Sequence, residues 1–294
     1  MDDYINKTST NGQFLRVDWN KNMLPTTAAV AGEWSFLARG GGNPAADTIY
    51  NTGTNLAFQS TLDTTAGAGG MLHGGNVSPA TKHIVNASAF TAAGTVAPCV
   101  LMLVDLLGFY RVTSTTTITA QTLNNTVTLP RYTTGAGVQA FMWANNATPL
   151  GAATPNLSIG YTNSAGTASR ATPAVLPVGK TACPNGQILY SGTGVGKYGP
   201  FMPLQSGDAG IRSIQSVTIS ASYVSGEFSI GLCKPLLTLP ITTTGVASER
   251  DLMNQVPSLP KIEDGANLQW MIYHGSATPV NSAIYGHLDV AWGT

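Results

Sequence analysis

Apolar and polar positions along the chain switch in short runs. Segments rich in Val, Ile, Thr and aromatics alternate with clusters of Gly, Pro and Asn. This reads as short strands punctuated by turns. The predicted strands include Thr115–Thr122, Val138–Ala144, Leu157–Asn163, Ser216–Val224, Glu227–Cys233, Asn267–His274 and Gly286–Trp292. The most apolar run, Val100–Tyr110, is bounded by turn-type residues and reads as a buried strand around Leu101–Leu107. Helix signals are scarce. One candidate is ASERDLMNQV, Ala247–Val256, with Ser248 as N-cap, Asp251 at the box position and Pro257 as a stop; a short helix over Leu101–Leu107 is the second, behind the buried-strand reading. The pattern predicts an all-β chain built as a sandwich or jelly roll.

The pattern also repeats. Val127-Thr-Leu-Pro-x-x-Thr-Thr-Gly135 matches Leu237-Thr-Leu-Pro-x-x-Thr-Thr-Gly245. Val138-Gln139-x-x-Met142-Trp143, Ala147-Thr148-Pro149 and Leu157-x-Ile159-x-Tyr161 then match Leu268-Gln269-x-x-Ile272-Tyr273, Ala277-Thr278-Pro279 and Leu288-x-Val290-x-Trp292. Conserved order over three segments implies two copies of one β unit. Each unit is expected to end a strand at Leu-Pro, because proline cannot continue a ladder. The expected organisation is an N-terminal arm over 1–30, a first β-sandwich over 31–178 and a second over 179–294. The 127–163 region recurs at 237–294. Within the first unit, 39–79 is loop text (RGGGNP, TAGAGG, MLHGGNVSP). One explanation for so long an irregular stretch is ordering across a neighbouring subunit.

Charge sharpens this picture. Only 10% of residues are charged, and 14 Lys+Arg balance 14 Asp+Glu. A globular protein carries about 25%. So little charge protects poorly against association. Part of the surface is therefore expected to lie under other subunits, or to be made soluble by Thr, Ser and Asn. The scattered Lys and Arg give no phosphate-binding run, so no nucleic-acid partner is expected. No apolar run reaches the ~18 residues of a membrane helix. The N-terminal MDDYINKTSTNG lacks signal-peptide features.

Candidate chemistry is thin. Cys99, Cys183 and Cys233 are odd in number and widely spaced, as for buried free thiols. SGTGVGKYG, Ser191–Gly199, suggests a phosphate loop but puts Ser191 and Tyr198 where that motif needs Gly and Ser/Thr. His73, His83, His274 and His287 form no metal-ligand pattern, and His274 aligns with Ala144 in the other copy. His287 and Asp289 share one strand face and read as a surface pair before an acid–base pair. There is no nucleophile elbow, and the four glutamates Glu33, Glu227, Glu249 and Glu263 are far apart. No catalytic, cofactor-binding or metal-binding residue is expected, and the chain does not read as an enzyme.

Several phrases resemble a family of structural proteins from tailed-bacteriophage virions. They are HGGNVSPATKH (His73–His83), LVDLLGFY (Leu103–Tyr110), LPRYTTGAGVQAF (Leu129–Phe141), LSIGYTNSAGTASR (Leu157–Arg170), FMPLQSGDAGIRSIQSV (Phe201–Val217) and ASERDLMNQVPSLPKIEDGA (Ala247–Ala266). The resemblance implies a capsid decoration or cement protein on the virion surface, made in the host bacterial cytoplasm. Its implied partners are itself, as a homo-oligomer and most plausibly a trimer, and the major capsid protein. Two alternatives stand beside it: a major capsid protein of double jelly-roll type, and a tail or fibre module that binds glycans.

Overall fold

The computed structural model describes residues 11–23, 28–125, 127–151, 155–173, 183–189 and 199–293. The chain is nearly all β, in several antiparallel sheets. The first strands are β1 (Phe14–Asn22), β2 (Trp34–Phe36), β3 (Gly42–Asn43), β4 (Phe58–Ser60), β5 (Thr81–Phe90), β6 (Cys99–Val112), β7 (Gln121–Thr122) and β8 (Gln139–Ala144). Then come β9 (Leu157–Asn163), β10 (Arg170–Ala171), β11 (Ile211–Ile219), β12 (Phe228–Ile241) and β13 (Ser248–Asp251). A one-turn helix α1 (Leu252–Gln255) precedes β14 (Lys261–Ile262), β15 (Leu268–His274) and β16 (Ala283–Gly293). No helix among the described residues is long and apolar enough to cross a membrane.

The central sheet runs β2-β15-β6-β12-β8, with β4 added beside the far end of β6. Its two long strands, β6 and β12, pair antiparallel from Val112↔Phe228 to Cys99↔Ile241. The sheet curls. Both of its edges hydrogen-bond to Gly186–Leu189: Phe36 N–H to Gly186 O (2.8 Å) and Ile188 N–H to Trp34 O (3.0 Å) on one side, Ala144 N–H to Gln187 O (3.0 Å) and Leu189 N–H to Met142 O (3.0 Å) on the other. One short segment thus satisfies backbone groups that two edges would otherwise leave open.

Two outer layers pack on this sheet. The β10-β9-β11-β7 layer covers the half holding β8, Val104–Val112 and Phe228–Cys233, and Tyr110, Met142, Ile230, Tyr161 and Ile214 fill the core between them, while Phe36, Tyr50, Phe109, Phe141 and Trp143 pack together on the sheet's other face. The β13-β5-β16-β1-β3 layer covers the other half, around Trp19, Ile84, Leu101, Leu239, Trp270 and Leu288.

The repeat explains this plan. In the first copy β8 and β9 return, and they pair with β12 and β11 from the C-terminal half. In the second, β15 and β16 pair with β6 and β5 from the N-terminal half. Each copy closes the other copy's sheets. Sheets therefore cross the expected boundary at 178/179. Within the expected 1–30 arm, Phe14–Asn22 forms β1 and pairs with β16 over nine residues.

Some local expectations are corrected. The helix over Ala247–Val256 is mostly strand: Ser248–Asp251 pairs with β5, and only Leu252–Gln255 is helical, capped by Asp251, which accepts from Met253 N–H. Ser248 is not the cap, because its backbone is held in the ladder. Thr115–Thr122 contains only the two-residue β7. Strand β12 starts at Phe228 and ends at Ile241, one residue past Leu239-Pro240 and close to the expected stop. Beyond Cys233, β12 has β6 as its ladder partner while β8 no longer flanks it. A proline's missing N–H is tolerated on such an edge, and the register shifts between Pro235 and Leu237. The matching Leu129-Pro130 lies outside any strand, so that part of the repeat is similar in sequence and different in structure.

Candidate functional site

Alternation along β5, β16 and β1 sends Ile84, Leu288, Val17 and Trp19 inward and the opposite residues outward. Register sorts the outward residues into rows across the layer. One row is Phe90, Tyr285, Asn20 and Asn43. The next is Glu249, Ser88, His287 and Asp18. A third is Asn86, Asp289 and Arg16. Rows two residues apart stand about 6.8 Å from one another.

The third row is already paired, within itself and with the second. Arg16 grips Asp289 with both ends of its guanidinium (2.8 and 3.0 Å), and Asn86 Nδ2 donates to Glu249 Oε1 (2.8 Å). The expected His287–Asp289 pair is present only loosely, at 3.9 Å, because Asp289 is already committed to Arg16. Ser88, His287 and Asp18 stand side by side, but none of the hydrogen bonds that define a catalytic triad joins them among the described residues.

The first row is open. Phe90 and Tyr285 are 39% and 41% exposed and stack with ring centroids 5.5 Å apart. Edge strand β3 is fixed beside them, because Asn43 N–H donates to Asn20 Oδ1 at 2.6 Å.

The remaining histidines are structural. His73 is buried, its Nε2 3.0 Å from Ala266 O and its Nδ1 3.2 Å from Lys82 Nζ. The ammonium must donate, so Nδ1 accepts and Nε2 carries the proton. Burial first, then the Lys82 charge, push the His73 pKa down. His274 is buried between Thr278 Oγ1 (3.0 Å) and Ser35 Oγ (3.1 Å). His83 Nδ1 lies 3.4 Å from Leu259 O.

Buried cations fasten the glycine-rich loops of 39–79 from inside the chain. Lys21 Nζ donates to Gly40 O (2.7 Å) and Pro44 O (3.2 Å). Lys82 Nζ donates to His73 O (2.7 Å) and Gly75 O (2.5 Å). Arg131 binds both oxygens of buried Asp105 (2.8 and 2.6 Å) and also Thr61 O (3.2 Å). Arg39 binds Asp47 at 2.9 Å. Burial pushes the Lys21 pKa down to about 8, against the opposing pull of Asp47.

The three cysteines are free and buried, and burial raises the thiol pKa of Cys99 to about 12. No group of three or more His, Cys, Asp or Glu able to hold a metal occurs among the described residues. All but Gly199 of the SGTGVGKYG stretch lies outside the described residues. Sequence reasoning missed the row of Glu249, Ser88, His287 and Asp18, whose members are up to 269 residues apart and meet only through strand register. The one local signal was the period-two pairing of His287 with Asp289. Comparison of the chain with protein-family models, with curated proteins and with solved structures gives no match.

Proposed function

We propose that this chain is a structural protein of a tailed-bacteriophage virion, acting as a capsid decoration or cement protein through subunit interfaces. The observation that carries the reading is where the charge sits. Among the twenty-three described Asp, Glu, Lys and Arg side chains, eight are buried: Lys21, Glu33, Arg39, Asp47, Lys82, Asp105, Arg131 and Asp289. They tie loops and sheets together inside the chain. An exterior already poor in charge becomes poorer still. Depletion of charge is the compositional mark of the fully buried centre of protein interfaces. Large apolar side chains also project from it, Leu72 at 73% and Val224 at 78% exposure.

In this reading the exchanged sandwiches supply a stiff body, and joints burying roughly 1,000 Å² or more hold it to copies of itself and to the major capsid protein. A trimer on the outer capsid surface is the proposed arrangement. The duplicated, exchanged β unit favours a second reading, a shell protein with two β units per chain. Both are tested on virions purified by density gradient. The decoration reading expects the chain on those particles, removable by mild denaturant while the shell stays closed. A shell that falls apart with its loss favours the second reading. Absence of the chain from the particles overturns both.

A further inference from the structure

The open row on the outer layer borders a groove of about 560 Å³, within the size range of small-molecule sites. We propose that this groove is a binding site for a neutral saccharide. Three features of its chemistry select that ligand class.

Phe90 and Tyr285 stack on each other on a rigid sheet, each about two-fifths exposed and each keeping one ring face clear of the other. Aromatic faces carry negative charge and attract the weakly positive C–H groups of a sugar ring laid flat on them. One row away stand the Asp18 carboxylate, the Ser88 hydroxyl and the His287 ring. Asp18 and Ser88 have no side-chain hydrogen bond among the described residues. With the Tyr285 hydroxyl they offer both acceptors and donors, which is what a ring of hydroxyl groups requires. The spacing between rows, about 6.8 Å, is comparable with one pyranose ring.

Charge then excludes acidic ligands. Asp18 lines the groove and Glu249 lies in the same row. Arg16, in the adjoining row, gives its Nε and Nη2 to Asp289. A sialylated or sulfated sugar, or a nucleic-acid phosphate, would meet carboxylates that the described cations of these rows do not fully offset. The site is preorganised: β16 fixes Tyr285 and His287 through its pairing with β5 and β1, and the Asn20–Asn43 hydrogen bond holds the rim.

This site is independent of the shell reading above, and the test separates them. The full-length chain is applied to an array of neutral oligosaccharides of glucose, galactose, mannose and N-acetylglucosamine, with sialylated and sulfated versions alongside. The best neutral binder is then titrated calorimetrically. Neutral sugars are expected to bind and their acidic versions to bind more weakly. Phe90→Ala and Tyr285→Ala are each expected to weaken binding by about tenfold, with Val224→Ala unchanged. Both aromatics are well exposed, and circular dichroism checks that the variants fold. A blank neutral array overturns the proposal, as does binding that survives the double aromatic variant. A blank array together with a lower oligomer mass for the double variant would make this face a subunit contact instead.

Discussion

At the scale of single residues, the fold depends on a few buried charges that close loops. Lys21 is the sharpest case, because its amine sits almost wholly out of water against two carbonyls. A neutral amine keeps two N–H groups, enough for Gly40 O and Pro44 O. Its pKa is about 8 in the folded chain against an ordinary 10.5. Between those values the unfolded chain binds more protons, so raising the pH favours the folded form. The stability of the native chain minus that of Lys21→Met, from urea unfolding, should therefore rise by about 2 kcal/mol between pH 7.5 and pH 10. A flat difference would mean the amine is not desolvated. None of this was legible in the sequence. A lysine in a strand reads as an outward residue, and only the register of β1 shows that position 21 shares the inward face with Val17 and Trp19.

At the scale of elements, apolar patterning located most strands and misjudged their ends. Alternation marked β9, one face of which is packed on a core, while the apolar runs of β8 and β15 marked strands buried on both faces. It failed at β12, where the expected strand stopped at Cys233 although pairing with β6 carries on to Ile241, and at Thr115–Ala120, where Thr-rich text has propensity without a ladder partner. Close contacts between elements were likewise invisible. Gly108 in β6 lets β4 lie against it: a Cβ there would come within 2.5 Å of Gln59 O and of the Phe58 ring. Gly108→Ala should cost about 1–3 kcal/mol in urea unfolding. Gly94→Ala, whose added methyl meets nothing within 4 Å, should stay within about 0.5 kcal/mol of the native chain.

At the scale of the whole molecule, the repeat was legible and its consequence was not. Matched segments reveal two related units, but sequence order cannot say whether each unit closes on itself or on the other. Here β8 and β9 complete sheets begun by β11 and β12, and β15 and β16 complete those begun by β5 and β6. Residues 1–178 or 179–294 expressed alone should therefore show no cooperative unfolding transition, and mixing the two should restore one. The same scale holds the question of partners. The sparse charge read from composition becomes, in the fold, a surface from which buried residues have withdrawn part of what charge there is. The most direct measurement is the mass of the purified full-length chain by size exclusion with light scattering across a range of concentrations. The interface-forming account predicts a stable oligomer, a trimer for a decoration protein. A chain that stays monomeric at every concentration would contradict it.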